Sequence, residues 1–129
     1  MDDLAIGNRA LLAERLAYEI LRHGRHERAL AVFAIEVEGD EATAETARAL
    51  RRALRAQDTV ARVGGRALCV LAPETDRYAA THLSRRLRDA LPDARVGVAL
   101  FPHDARAPRA LVARAAAAAH GDAPARRAA

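Results

Sequence analysis

Residues 55–75 read RAQDTVARVGGRALCVLAPET, and their pattern decides the fold. Two short apolar runs, residues 59–63 and 67–71, flank Gly64-Gly65, and Pro73 closes the second. Paired glycines suit the positive φ angles of a tight turn, so the stretch predicts a hairpin of two antiparallel strands. Its tip continues through Arg66, Ala67 and Leu68, which a turn alone does not explain.

Outward from the hairpin, helices and strands alternate. Asn8 suits the N-cap of a helix to about His23, with Leu12, Leu16 and Ile20 at i, i+4 spacing. Residues 29–38, ALAVFAIEVE, are apolar and β-branched, as a buried strand requires. Gly39-Asp40 breaks that strand, and Asp40 is placed to cap a second helix with Ala47, Leu50 and Leu54 on one face. Arg48, Arg51, Arg52 and Arg55 fall mostly on its other side. After the hairpin, Thr75 or Asp76 opens a third helix with Ala79, Leu83, Leu87 and Leu91 inward. Residues 94–101 form a further strand ended by Pro102, and Pro108 suits the first turn of a last helix. The order α-β-α-β-β-α-β-α predicts an α/β (α+β) domain, a mixed sheet flanked by helices. Residues 1–120 make one domain, and residues 121–129, DAPARRAA after Gly121, read as a flexible tail with nothing to bury.

Composition narrows the function. The net charge is +4, yet all 21 basic residues are Arg and they are scattered among acids over every helix. No basic stripe and no aromatic stacking platform is visible, which argues against nucleic acid as a partner. No apolar run reaches membrane-spanning length and residues 1–3 do not begin a signal peptide, so membrane insertion is not expected and the location is read as cytoplasmic. The lone Cys69 sits in an apolar run and reads as a buried structural thiol. His23-Gly24-Arg25-His26 has a spacing that suits a metal but lacks a third ligand, and reads as a solvent-facing loop. No metal or cofactor is expected.

Five strings in order resemble the GGDEF domain of bacterial diguanylate cyclases: IGNRALLAERL, AIEVEG, ARVGGRALCVLAPET, RVGVALFPHDA and LVARAAAAAH. The resemblance covers nearly the whole chain and implies a nucleotidyl cyclase palm-like sheet. An active member holds two metal ions on carboxylates and seats GTP for attack of a 3′-hydroxyl on a partner's α-phosphate. Hard cations need such oxygen ligands. Here the motif reads Gly64, Gly65, Arg66, Ala67, Leu68, with a guanidinium and a methyl where the family has acids. Glu36 matches the strand-end metal Asp. About thirteen residues that supply phosphate and guanine contacts in the family are missing between Glu38 and Gly39, by its loop spacing. Asp40 matches a guanine-binding Asp, and the Lys of the last helix falls near Ala123. The resemblance therefore implies a degenerate, catalytically inactive member.

One family site survives in the sequence. Arg55-Ala56-Gln57-Asp58 matches the inhibitory R-x-x-D motif that binds cyclic di-GMP, and the completing Arg falls on Arg86, with Arg85 and Arg88 as lesser helpers. An Arg fork suits guanine O6 and N7, and a carboxylate suits the N1–H and N2–H₂ edge. The expectation is a cyclic di-GMP receptor, taking the ligand singly or as an intercalated dimer and signalling through an unidentified protein partner. Arg55 and Asp58 at i, i+3 also suit a plain surface ion pair. The alternative is thus a ligand-independent interaction scaffold or homodimerisation module.

Overall fold

The computed structural model describes residues 7–26, 28–39 and 44–125. Its elements are α1 (Arg9–His26), β1 (Leu30–Glu36), α2 (Ala44–Ala53), β2 (Thr59–Arg62), β3 (Ala67–Ala72), α3 (Arg77–Ala90), β4 (Arg95–Phe101) and α4 (Pro108–His120), in the order expected from the sequence. Local chemistry sets their starts. The Asn8 side chain accepts the Leu11 N–H at 3.0 Å, and Asp76 accepts that of Ala79 at 2.9 Å, each satisfying a donor that a helix N-terminus leaves unpaired. Pro108 occupies the first turn of α4, where its missing N–H costs nothing. The Asp40 cap lies outside the described residues.

The strands form one sheet in the order β2-β3-β1-β4, and every pair of neighbours is antiparallel. The mixed sheet expected from the sequence is therefore corrected. Among the described residues, parallel pairing is confined to an isolated bridge between Gly7 and Ala61, where Gly7 exchanges backbone hydrogen bonds with Val60 and Arg62 at 2.9 Å each. Between β2 and β3 the Ala67 N–H reaches the Gly64 carbonyl at 3.4 Å. The positive-φ argument for Gly64-Gly65 does not hold: among the described glycines that conformation belongs to Gly39, at φ 91°.

Both faces of the sheet are covered, which is why β1 is apolar at almost every position. Ala31, Phe33 and Ile35 face Leu50 of α2 and Leu83 and Leu87 of α3. Leu30 and Val32 face the opposite way, toward Leu12 and Leu16 of α1 and Leu111 and Ala115 of α4. The period-two alternation of a strand thus feeds two cores. Gly97 lets α4 lie against β4: a Cβ there would stand 2.2 Å from the Ala119 nitrogen and 2.4 Å from the Ala115 carbonyl oxygen.

The free edge of β4 is blocked at two places. Asp122 Oδ2 accepts the Val96 N–H at 3.0 Å and Arg88 donates to the Val96 carbonyl at 3.2 Å. Asp104 accepts the Leu100 N–H at 2.7 Å and returns its own N–H to the Leu100 carbonyl. Outward groups alternate along an edge, which leaves only Val98 between them. These contacts also change the reading of the chain's end. Asp122 is anchored and Pro124 is buried, so the expected tail is packed as far as that point, and residues 126–129 lie outside the described residues.

Candidate functional site

The R-x-x-D motif occupies the turn between α2 and β2. The Asp58 N–H reaches the Arg55 carbonyl at 3.1 Å, and Asp58 Oδ2 accepts the Arg55 N–H at 2.9 Å, so the motif closes on itself. The Arg55 guanidinium folds over it. Its Nη2 donates to Asp58 Oδ1 at 3.1 Å, the Pro73 carbonyl at 2.8 Å and Thr75 Oγ1 at 2.9 Å. The Asp58 side chain is 0% exposed and that of Arg55 38%. A buried carboxylate is tolerated only when paired and hydrogen-bonded, and here the pairing is internal.

Arg51 completes the turn and was read from the sequence only as one of the outward arginines of α2. Its Nη1 donates to the Asp58 carbonyl at 3.0 Å and its Nη2 to the Arg55 carbonyl at 2.5 Å, holding the last and first residues of the motif. Arg86 approaches from α3. Its Nε and Nη2 donate to the Ala53 carbonyl at 3.2 and 2.9 Å, two residues before Arg55. A cation at the C-terminal end of α2 also meets the negative end of the helix dipole. The structure thus brings Arg55 and Asp58 into contact and places Arg86 beside them on the same helix end. Arg88 is committed elsewhere, to Asp122 at 2.5 Å.

The hairpin end of the sheet forms a second candidate. Glu36 stands opposite Ala67 on one side and Arg95 on the other, and its carboxylate lies 3.9 Å from His120. Glu36, Glu38, Arg66, Asp93, Arg95 and His120 line a cleft of about 490 Å³. Beside it, Val63, Arg66, Leu68, Val112 and Ala116 help to line an apolar groove of about 310 Å³. No group of three His, Cys, Asp or Glu side chains is arranged to hold a metal ion among the described residues.

Two further expectations are settled by burial. Cys69 is buried, and desolvation pushes its thiol up to about 12. His23 is not on a solvent-facing loop: it lies in α1 at 1% exposure. Its Nε2 accepts the Glu74 N–H at 3.1 Å, so Nδ1 carries the proton and donates to the Glu19 carbonyl at 2.8 Å. Sequence reasoning missed Glu19, Arg51 and Asp122. The i, i+4 step from Arg51 to Arg55 was the available signal for Arg51.

Comparison with known proteins agrees with this architecture. The pattern of the family described as "Diguanylate cyclase, GGDEF domain" matches residues 1–95. The GGDEF domain of YfiN (TpbB) from Pseudomonas aeruginosa superposes with a TM-score of 0.83 at 26% identity, over 99% of this chain and 89% of that one. A sensory box/GGDEF family protein from Caulobacter crescentus gives 0.79 at 30% identity, over 95% of this chain and 94% of that one. The diguanylate cyclase SiaD of P. aeruginosa, solved in complex with its activator SiaC, gives 0.82 at 27% identity, over 98% of this chain and 58% of that one. No curated protein matches the sequence. With a family match over residues 1–95 and the same fold throughout, the chain belongs to the GGDEF domain family.

Proposed function

We propose that this GGDEF domain does not synthesise cyclic di-GMP but binds it through Arg55 and Arg86, and conveys that binding to a protein partner. The observation that carries the ligand reading is the fixing of Arg55. Three acceptors hold its Nη2 while more than a third of the side chain stays exposed. A guanidinium pinned through Nη2 and Nε keeps its plane available for stacking on a purine face and its Nη1 for a single guanine acceptor. Arg86, anchored on the Ala53 carbonyl, adds a second oriented cation. Holding both in advance lowers the ordering cost of binding. Asp58, wholly buried, then acts by positioning Arg55 rather than by reading the guanine edge.

The charge at the hairpin supports the absence of synthesis. The family's chemistry needs carboxylates around divalent cations. At this end of the sheet Glu36 is flanked by Arg66 and Arg95, and Glu38 and Asp93 already have partners. A pair of magnesium ions does not fit these residues, because two guanidinium groups compete for the same carboxylates.

A second reading is favoured by the saturation of Asp58. Both oxygens of its carboxylate bond to the Arg55 backbone and guanidinium, so the motif also makes sense as a loop clamp in a ligand-independent interaction scaffold. The complex of SiaD with SiaC is an instance of a matched protein with a protein partner. Calorimetric titration with cyclic di-GMP separates the readings. Saturable binding, lost in both Arg55→Ala and Arg86→Ala, supports the receptor. Silence at high micromolar ligand from a folded protein supports the scaffold. Incubation with GTP and magnesium is expected to yield no cyclic product, and turnover would overturn the inactive reading.

A further inference from the structure

On the other side of the same turn, a polar cleft of about 400 Å³ lies between α1 and the loops at the ends of β2 and β3, lined in part by Arg15, Glu19, Arg22, Gln57, Thr59 and Glu74. Its inner wall carries an anomaly. The Glu19 side chain is only 4% exposed, and its Oε1 is buried with no hydrogen-bond partner. Its neighbours give it charge but no hydrogen bond: Arg22 forms an ion pair with Oε1 at 3.6 Å, and His23 Nδ1, 3.4 Å away, donates instead to the Glu19 carbonyl. Arg15 approaches the other carboxylate oxygen at 3.9 Å. A buried carboxylate oxygen without a donor is costly and rare in a native fold.

We propose that this cleft binds a small zwitterion, a free α-amino acid, with its ammonium group on Glu19 Oε1 and its carboxylate on Arg15 and Arg22. The charges dictate that pairing. An ammonium supplies the donor that Oε1 lacks, while Arg15 and Arg22, at 46% and 47% side-chain exposure, would repel a simple cation but fork onto a carboxylate. Glu74, which also lines the cleft, pairs with Arg28 at 2.6 Å and Arg22 at 3.6 Å, so Arg22 is shared between Glu74 and Glu19. Arg55 itself does not line this cleft, although its anchors Asp58 and Pro73 do, so the two ligands would meet opposite sides of one turn.

Calorimetry of the full chain against glycine and L-alanine tests it, with ethylamine and propionate as the two halves of the ligand. Saturable binding of the amino acids, with at least tenfold weaker binding of either half, is expected. Glu19→Gln and Arg22→Ala should each weaken amino-acid binding at least tenfold, and Arg114→Ala, exposed on α4, should leave it unchanged. If Glu19→Gln fails to fold, the half-exposed Arg22→Ala decides. Absence of saturable binding by either amino acid would overturn the proposal. Binding unaffected by the decisive variant would overturn it as well.

Discussion

Arg51 and Asp58, seven residues apart, are joined by a hydrogen bond from Nη1 to the Asp58 carbonyl at 3.0 Å, and the same guanidinium holds the Arg55 carbonyl. Arg51→Ala removes both bonds; the Arg55 carbonyl keeps the Asp58 N–H at 3.1 Å, and the Asp58 carbonyl is left to find another donor. A loss of about 1–2 kcal/mol in unfolding free energy is expected, read from urea midpoints. Arg51→Lys should recover part of it, because an ammonium reaches one carbonyl but lacks the fork.

Asp58→Ala should be more damaging than Arg51→Ala, at about 2–3 kcal/mol, since it strips a buried acceptor from Arg55 and leaves a cavity. The partial exposure of Arg55 lets water recover some of that loss. Equal midpoints for Asp58→Ala and the unaltered protein would mean that the carboxylate does not hold the turn.

Acid sensitivity is expected from the β4 edge. Burial pushes the Asp122 carboxyl up, but the Arg88 hydrogen bond, the Val96 N–H and the Arg88 charge outweigh it and hold the group below its ordinary value. Asp104 is likewise held low: burial raises it, and the Leu100 N–H, His103 and Arg77 more than compensate. A carboxyl whose folded value is depressed stabilises the fold above its unfolded value, near pH 4, and loses that contribution as pH falls through the folded value. Stability should therefore decline below about pH 4, and Asp122→Asn should flatten the decline in an acid titration followed by circular dichroism.

Gly97→Ala tests the approach of α4 to the sheet. Its new methyl would meet helix backbone at 2.2–2.7 Å, where no side chain can swing aside. A loss of about 3 kcal/mol or more is expected, at the upper end of overpacking costs, against little change for Gly64→Ala, whose nearest neighbour is a methyl at 3.4 Å. Comparable thermal midpoints for the two variants would contradict the packing described.

Cys69 should resist alkylation in the native state. With its thiol pushed up to about 12 by burial, almost no thiolate exists near pH 8. Ellman's reagent should react only as fast as the protein opens, and rapid modification of folded protein would show the strand to be exposed.

Much of this architecture was legible in the sequence because each signal was local. Asn8, Asp76 and Pro108 announce helix starts through chemistry confined to a single turn, and the unbroken apolar run of β1 announces a strand buried on both faces. Strand direction was not local. Chain order alone does not say that β1 lies between β3 and β4, and that placement makes all the pairings antiparallel. The same limit applies to the site. Arg55 and Asp58 were found because their spacing is fixed along the chain, whereas the pinning of Arg55 depends on Pro73 and Thr75 arriving from beyond the hairpin. Glu19 and His23 occupy inward positions of α1 that hydrophobic periodicity passes over. The hold of Asp122 on β4 joins residues 26 apart in sequence, and no periodicity reports it.

The blocked rim of β4 has a consequence for crowded solutions. With Val96 and Leu100 already committed to aspartates and an arginine, a foreign strand finds a single open peptide group, too little to zip a second sheet onto the first. Copies of this domain should therefore resist growing into fibrils through that border even at high concentration.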